Sequence, residues 1–430
     1  MAASVEVPVR SSGSPRLGRR LLLAPILAAL IAAPLWHLHV INRDMPSAHN
    51  DLIGRWLGVR AALHGQDPYS DEVTREIQIA YYGRPLTIKD DVPDQAFNYP
   101  AQLVVLLAPL ASLSWPAFRL VFLLAVVPAL ALSFYLCVRL LRLPVNSLGA
   151  ALLATLSLFS WPVIWGLRLQ QPTLLAAVFI FVGCFLLSRE RYVGAGILLA
   201  LATIKPQLVL PLLLWLLLWA CFRRLWTLLA SFVVTAALLL LAAEKLTPGW
   251  FPHWLAASRR FSATYGKFPL ELVFGHWLGL FATGVLVLWS AYRLWRLRRS
   301  APDSPQFGLA IALVLAATVC ANFTILPMIY NQILLVPGCL LLVCLRPTDS
   351  YYPGLVRRVV FALLAWQFIA VPLAVVGESL SKAGGFWQGL PFLNILLPVL
   401  VAAALILESA EPYAPTLKAP AGLQIEAARS

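Results

Sequence analysis

Apolar runs long enough to cross a bilayer recur along most of the chain. They follow one another from residue 21 to residue 408, with larger polar breaks at 41–100 and 244–274. A helix of about 20 apolar residues crosses the roughly 30 Å hydrocarbon core of a bilayer. Charged residues make up only 12% of the sequence, against about 25% in soluble domains. The sequence therefore predicts an all-α, polytopic integral membrane protein.

The positive charge of the chain lies in short clusters between the apolar runs. The clusters are Arg16, Arg19 and Arg20; Arg139 and Arg142; Arg189 and Arg191; Arg223 and Arg224; Arg293, Arg296, Arg298 and Arg299; and Arg357 and Arg358. Such clusters are typical of cytoplasmic loops, and anionic headgroups are their expected counter-charge. No basic face is interleaved with exposed aromatic residues, as nucleic-acid binding would require. The net charge of +14 therefore predicts membrane lipids, and no nucleic acid, as partners.

The basic clusters also predict the topology of the first hundred residues. Residues 1–20 are expected in the cytoplasm, and 21–40 are expected to form an uncleaved first span, since this run is longer than the apolar core of a signal peptide. Residues 41–100 then form an outer loop. The run 101–113 is short for a span. We predict that it does not fully cross, because every later basic cluster then falls inside.

The remaining apolar runs complete a bundle of about twelve crossings. The predicted spans after the first are 117–141, 147–166, 172–188, 192–204, 207–222, 225–243, 275–295, 307–325, 332–345, 359–376 and 391–408. They place a second outer loop at 244–274 and a cytoplasmic tail at 409–430. We predict one transmembrane domain, 21–408, in the inner (plasma) membrane.

The first outer loop holds nine of the 19 acidic residues of the chain and six basic ones. Apolar side chains recur at helical spacing between Asp51 and Leu63, which predicts an amphipathic helix in the headgroup plane with Arg55 on its polar side. Gly65 is expected to end this helix, and a second helix is expected at about 71–82. The outer loop is therefore predicted to carry juxtamembrane helices.

Asp51, at the first turn of that helix, has two interpretations. It can be an N-cap, or the partner of Arg55 one turn later. Alternatively, it is a carboxylate at the bilayer boundary that points into a cavity and accepts a proton from a hydroxyl group. The residue types alone do not separate the two.

Several short motifs in this order resemble glycosyltransferase family 87. They are Asp51–Leu52, Arg60–Ala61, Gly65–Gln66–Asp67–Pro68–Tyr69, Phe97–Asn98–Tyr99–Pro100, Gln170–Gln171, Gly194–Ala195–Gly196, Lys205–Pro206 and Tyr330–Asn331–Gln332. The resemblance implies a C-type membrane glycosyltransferase that takes a sugar, often mannose, from a polyprenyl-phosphate donor. It also implies a lipid, glycolipid or polysaccharide acceptor at the outer face, inversion at the sugar, and Asp51 as general base.

Basic residues at outer helix ends are candidates for binding the phosphate of such a donor. Arg168 and Lys205 stand at span ends where the positive-inside tendency disfavours them, which marks a functional site, although a lysine can also extend to headgroups. Arg259 and Arg260 in the predicted second outer loop are alternative candidates for binding the phosphate. Their other interpretation is that they lie in a loop that faces lipid.

Four further residues are predicted to bind substrate, and no metal or cofactor is expected. These residues are Gln171, Tyr99, Tyr69 and Asn331. Tyr69 can instead anchor its turn, and Tyr99 can belong to the aromatic belt of the membrane interface. A competing function is transport or flipping of lipid-linked saccharides. That class carries polar groups at span midpoints, whereas here they cluster at the outer ends.

Overall fold

A computed structural model of the chain describes residues 50–87, 90, 95–265, 267–322, 326–344, 351–380 and 394–409. These residues form helices and connecting turns, with no β-strand among them, so the all-α prediction is confirmed. The predicted cytoplasmic N-terminus, the first span 21–40 and the tail beyond residue 409 lie outside the described residues.

The segment predicted to be the first outer loop contains two helices, as expected from the sequence. Helix α1 is Leu52–Leu63 and ends before Gly65, which has φ of +77°, a backbone region that glycine enters at little cost. Helix α2 is Asp71–Tyr82, and the Ser70 hydroxyl accepts a hydrogen bond from the Val73 backbone N–H. Both helices begin and end within one residue of the positions expected from the sequence.

The prediction that Arg55 lies on a polar, exposed side of α1 is wrong, and the position of the helix in the headgroup plane stays a prediction. Arg55 is only 5% exposed, whereas Leu63, at the end of the expected apolar stripe, is 43% exposed. Helix α1 packs against α2 and the chain around Phe97, and a Cβ on Gly58 would lie 2.8 Å from the Phe97 ring carbon Cγ. The helix is therefore enclosed by protein, and its small residues permit close approach.

The segment 101–113 does not form a membrane-length helix. It contains α3, Gln102–Leu107, followed by a 3₁₀ turn, Ala108–Leu110. Six helical residues rise about 9 Å, much less than the hydrocarbon thickness. This geometry agrees with the prediction that the segment does not fully cross.

The rest of the described chain is a bundle of helices. These helices are α4 (Trp115–Leu140), α5 (Ser147–Leu158), α6 (Trp161–Leu169), α7 (Thr173–Ser188), α8 (Tyr192–Leu201), α9 (Pro206–Arg223), α10 (Trp226–Leu246), α11 (Trp250–Tyr265), α12 (Pro269–Phe274), α13 (His276–Arg296), α14 (Pro305–Ala321), α15 (Val336–Cys344), α16 (Tyr351–Leu380) and α17 (Leu397–Glu408). Four of them, α4, α9, α10 and α13, are long and apolar enough to cross a membrane. The number rises to five if α5 and α6 are one bent span, and twelve crossings stay a prediction.

Breaks in the helices bring polar residues into the bundle. Helices α5 and α6 meet at a bend of 56°, so that α6 delivers Arg168 and the residues after it to the protein interior. Helix α8 passes into a 3₁₀ turn, Ala202–Ile204, and the chain is non-helical at Lys205 before α9 begins at Pro206. Such irregular backbone at membrane depth is tolerated where protein encloses it.

The two predicted outer loops contact each other. The second loop consists mainly of α11 and α12, and His253 Nδ1 on α11 lies 2.7 Å from Asp67 Oδ2 in the turn after α1. The two loops therefore lie at the same end of the bundle, as the predicted topology requires.

Candidate functional site

Polar side chains from distant parts of the sequence meet at the start of α1. They come from α1 itself, α2, the chain before α3, the turn between α6 and α7, the break before α9, and the 3₁₀ segment Leu326–Leu335. The residues at this meeting point are Asp51, Arg55, Tyr81, Tyr99, Arg168, Gln171, Thr173, Lys205, Tyr330 and Asn331. We call this group the Asp51 cluster.

The Asp51 carboxylate points into the cluster and does not cap its helix. The side chain of Asp51 makes no capping hydrogen bond to α1, and the Leu52 N–H is instead bonded by Asn50 Oδ1 at 2.8 Å. One carboxylate oxygen accepts a hydrogen bond from Gln171 Nε2, and the other accepts one from the Tyr81 hydroxyl at 3.4 Å. The N-cap interpretation of Asp51 is therefore wrong.

The surroundings of Asp51 act on its pKa in opposite directions. Burial raises the pKa of the carboxyl group above its ordinary value, because water that would solvate the charge is excluded. The positive charges of Arg55, Lys205 and Arg168 and the hydrogen bond from Tyr81 each lower it, but the net direction is upward. Asp51 therefore holds a proton more tightly than an exposed aspartate does.

Two cations of the cluster are almost completely buried. Arg55 is 5% exposed and Lys205 is 4% exposed. Arg55 Nη1 donates to the backbone oxygen of Asp51 at 2.7 Å, and its guanidinium lies 4.8 Å from the centre of the Tyr99 ring. The Arg55 Nε is buried and has no hydrogen-bond partner among the residues the structure describes. A buried donor without a partner costs about 1–3 kcal/mol.

Lys205 is held by two side chains and an aromatic ring. Its Nζ donates to Thr173 Oγ1 and, at 3.3 Å, to Asn331 Oδ1. The same nitrogen lies 4.8 Å from the centre of the Tyr330 ring, an arrangement that attracts a cation to the ring face. The ammonium group therefore has neutral partners, and its charge is left to act on Asp51 and on an incoming anion.

A chain of hydrogen bonds sets the orientation of Gln171. The Tyr99 hydroxyl donates to Gln171 Oε1 at 3.0 Å, and the Tyr69 hydroxyl donates to the Tyr99 backbone oxygen at 2.7 Å. Because the amide oxygen of Gln171 is used by Tyr99, its NH₂ group faces Asp51. Tyr69 thus holds the backbone of Tyr99 in place and does not itself contact Asp51. This agrees with the interpretation that Tyr69 anchors its turn.

The turn between α6 and α7 has a backbone conformation unusual for its residue type. Gln170 has φ of +50°, the left-handed conformation that often ends a helix. Its Oε1 accepts from Asn50 Nδ2 at 2.6 Å and from Arg119 Nε at 3.2 Å. Asn50 also donates to the Arg168 backbone oxygen at 3.3 Å. These bonds hold the residue before Asp51 against the end of α6, beside the Arg168 side chain.

The structure brings together most of the site residues suggested by the sequence. Asp51, Arg168, Gln171, Tyr99, Lys205 and Asn331 all lie in the Asp51 cluster. Arg259 and Arg260 lie exposed on α11, and their contact with a phosphate stays a prediction.

Sequence reasoning missed four members of the cluster: Arg55, Tyr81, Thr173 and Tyr330. Arg55 was placed on the polar side of α1, although its position one turn after Asp51 was a usable signal. Tyr330 belongs to the Tyr330–Asn331–Gln332 motif, but only Asn331 was predicted to bind substrate, and Thr173 lies two residues after Gln171. No sequence pattern indicates that Tyr81 contacts Asp51, because this contact depends on how α2 packs against α1.

The charge of the cluster is unbalanced. Three cations, Arg55, Lys205 and Arg168, are close enough to influence one carboxylate, Asp51. Among the described residues, no group of three or more His, Cys, Asp or Glu side chains could hold a metal ion. The three cations can bind an anion, and Asp51 beside them can accept a proton.

Comparison with known proteins gave one match. The model of glycosyltransferase family 87 matches residues 97–321, just over half of the chain. The matched range includes Tyr99, Arg168, Gln171 and Lys205, whereas Asp51 precedes it. No curated protein and no solved structure matches the chain.

Proposed function

The chain belongs to glycosyltransferase family 87, and we propose that this glycosyltransferase takes its sugar from a polyprenyl-phosphate donor. The proposed sugar is mannose, and the proposed acceptor is a lipid, glycolipid or polysaccharide at the outer face of the inner membrane. We further propose that the chain is one domain, 21–408, of about twelve crossings with both termini in the cytoplasm. The contact between His253 and Asp67 supports this topology, because it joins the two proposed outer loops.

The observation that carries the proposal is the meeting of one carboxylate with three cations. Charge-assisted hydrogen bonds from arginine and lysine are the usual means of binding phosphate. The phosphate of the donor is a diester with one negative charge, and the polyprenyl phosphate that departs is a monoester with about 1.5 to 2 negative charges near neutral pH. The excess positive charge of the cluster would therefore be offset in part on binding and further as the bond to the sugar breaks. The unpaired Nε of Arg55 would gain a partner in the same step.

In the proposed reaction, Asp51 accepts the proton of the acceptor hydroxyl as its oxygen attacks the anomeric carbon. A new carbon–oxygen bond forms on one face of the sugar, while the bond to the phosphate oxygen breaks on the other face. The electron pair of the broken bond remains on the polyprenyl phosphate, where Lys205, Arg55 and Arg168 stabilise the developing charge. Attack and departure on opposite faces invert the configuration at the anomeric carbon.

Purified protein in vesicles tests the donor class. We expect transfer of radiolabelled mannose from polyprenyl-phosphate mannose to membrane glycolipid acceptors, and none from a nucleotide-linked mannose. Nuclear magnetic resonance of the product would report the anomeric configuration, which should be opposite to that of the donor. Transfer from the nucleotide sugar with none from the lipid-linked sugar would contradict the proposed donor, and a retained configuration would contradict the mechanism.

The raised pKa of Asp51 predicts an acid limb in the pH profile of the reaction. The base must be ionised to accept a proton, so kcat/KM should fall as pH drops through the pKa of Asp51. An unperturbed aspartate has a pKa of about 3.9; because burial raises that of Asp51, the fall should begin at a higher pH. Steady-state rates between pH 4 and 8 would measure it, and a kcat/KM that stays constant down to pH 4 would contradict the assignment.

A further inference from the structure

A cavity of about 280 Å³ lies at the far end of the bundle from the Asp51 cluster. Three arginines line it: Arg139 and Arg142 from the end of α4, and Arg189 from the end of α7. Its volume is near the lower limit of ligand pockets, which are roughly 300–1,000 Å³. A small polar group would fit it. We call this cavity the arginine pocket.

The pocket and the Asp51 cluster are at opposite ends of the same two helices. Thr173, the first residue of α7, contacts Lys205 in the cluster, and Ser188, its last residue, lines the pocket. Arg119 near the start of α4 bonds to Gln170, and Arg139 is at its end. Sixteen residues of α7 rise about 24 Å, so the two sites are separated by most of a bilayer.

The charge of the arginine pocket is only partly compensated. Arg142 Nη2 lies 3.8 Å from Asp303 Oδ2, but both side chains are about half exposed or more, and such surface pairs contribute little. The C-terminal ends of α4 and α7 each contribute about half a negative charge. Three arginines against one aspartate and two helix ends leave an excess of positive charge.

The pocket also has an apolar wall. Leu143 and Val145 line it beside the arginines, together with Val138, which is buried, and the adjoining helices carry exposed apolar side chains such as Leu132 on α4 and Leu148 on α5. A free phosphate ion would gain nothing from contact with these apolar side chains, whereas the glycerol and upper acyl chain of a lipid would pack against them. Basic pockets between transmembrane helices are typical binding sites for anionic headgroups.

We propose that the arginine pocket binds the phosphate of an anionic lipid headgroup in the leaflet opposite to the Asp51 cluster. The site is separate from the glycosyl-transfer site, and it does not depend on the identity of the donor. In the proposed topology it faces the cytoplasmic leaflet, since Arg139, Arg142 and Arg189 belong to the predicted cytoplasmic clusters.

Native mass spectrometry of the purified full chain tests the proposal through lipid binding rather than activity. Phosphatidylglycerol, phosphatidylcholine and glycerol phosphate would be titrated separately. We expect phosphatidylglycerol to bind the unmodified chain more tightly than the other two. Each of Arg139→Gln and Arg189→Gln should weaken that binding about fivefold, the effect expected for one basic residue at a membrane surface. Arg358→Gln, which removes an exposed charge from α16 outside the pocket, is the matched control.

Three results would overturn the proposal. Equal affinity of the unmodified chain for phosphatidylglycerol and phosphatidylcholine would remove the preference for an anionic headgroup, whatever the folding of the variants. Equal loss in Arg358→Gln and in the pocket variants would indicate general surface charge. Binding of glycerol phosphate as tight as that of the lipid would indicate a soluble phosphate compound as the ligand.

Discussion

Asp51→Asn is expected to lower the rate of sugar transfer by about 10²–10⁴-fold, the usual contribution of a general base. Asparagine has nearly the same size and shape as aspartate, and its amide can still bond to Gln171 and Tyr81, which contact the carboxylate oxygens. It cannot accept a proton at neutral pH. The loss should therefore appear in kcat, measured with saturating polyprenyl-phosphate mannose, and a cooperative thermal unfolding transition would show that the variant is folded.

Asp71→Asn is the matched control for this experiment. Asp71 is an exposed aspartate at the first turn of α2, so the substitution removes the same charge from the same loop without touching the cluster. We expect near-normal transfer from this variant. Near-normal turnover of a folded Asp51→Asn variant would reject Asp51 as the base, and equal losses in both variants would assign the effect to the charge of the loop.

The elements around Asp51 were predictable where local signals specify them. Helix α2 begins and ends at the predicted residues because Ser70 caps it, Asp71 and Glu72 favour its first turn, and Gly83 stops it with φ of +75°. Each of these signals acts within a few residues. The end of α1 was predictable for a similar reason, since Gly65 follows it with φ of +77°.

The burial of α1 was not predictable from its own residues. The spacing of Leu52, Trp56 and Val59 indicates an apolar stripe, but it does not say what covers the other side of the helix. Arg55 is buried partly because Tyr99, which comes 44 residues later, places its ring against the guanidinium. A packed aromatic surface offsets part of the cost of removing the charge from water.

The convergence of the charged residues was predicted only as a possibility. Arg168 and Lys205 drew attention because charges at the ends of apolar runs are costly, and the structure places both near Asp51. Their immediate contacts, by contrast, depend on folding: Lys205 meets Thr173 and Asn331, which are 32 and 126 residues away. The number of spans is the least predictable quantity, since several predicted spans are short or bent helices in the structure.

Lys205→Met is expected to raise the KM for the polyprenyl-phosphate donor by roughly 10- to 100-fold, as expected for losing a hydrogen bond to a charged group. Methionine preserves much of the length of the lysine side chain. The substitution also removes a buried positive charge that lies near the positive charge of Arg55, which relieves the repulsion between them. The variant should therefore fold. Sugar-free polyprenyl phosphate would serve as a competitive inhibitor, and its inhibition constant should rise by a similar factor because the lost contact is to the phosphate.

Lys245→Met distinguishes this effect from a general loss of charge. Lys245 is exposed in the last turn of α10, so its replacement lowers the net charge equally and should leave both constants unchanged. If Lys205→Met raised the donor KM but left inhibition by polyprenyl phosphate unchanged, Lys205 would contact the sugar rather than the phosphate. If neither constant changed, the excess positive charge of the Asp51 cluster would not be used for phosphate binding at this lysine, and Arg55 and Arg168 would have to account for it alone.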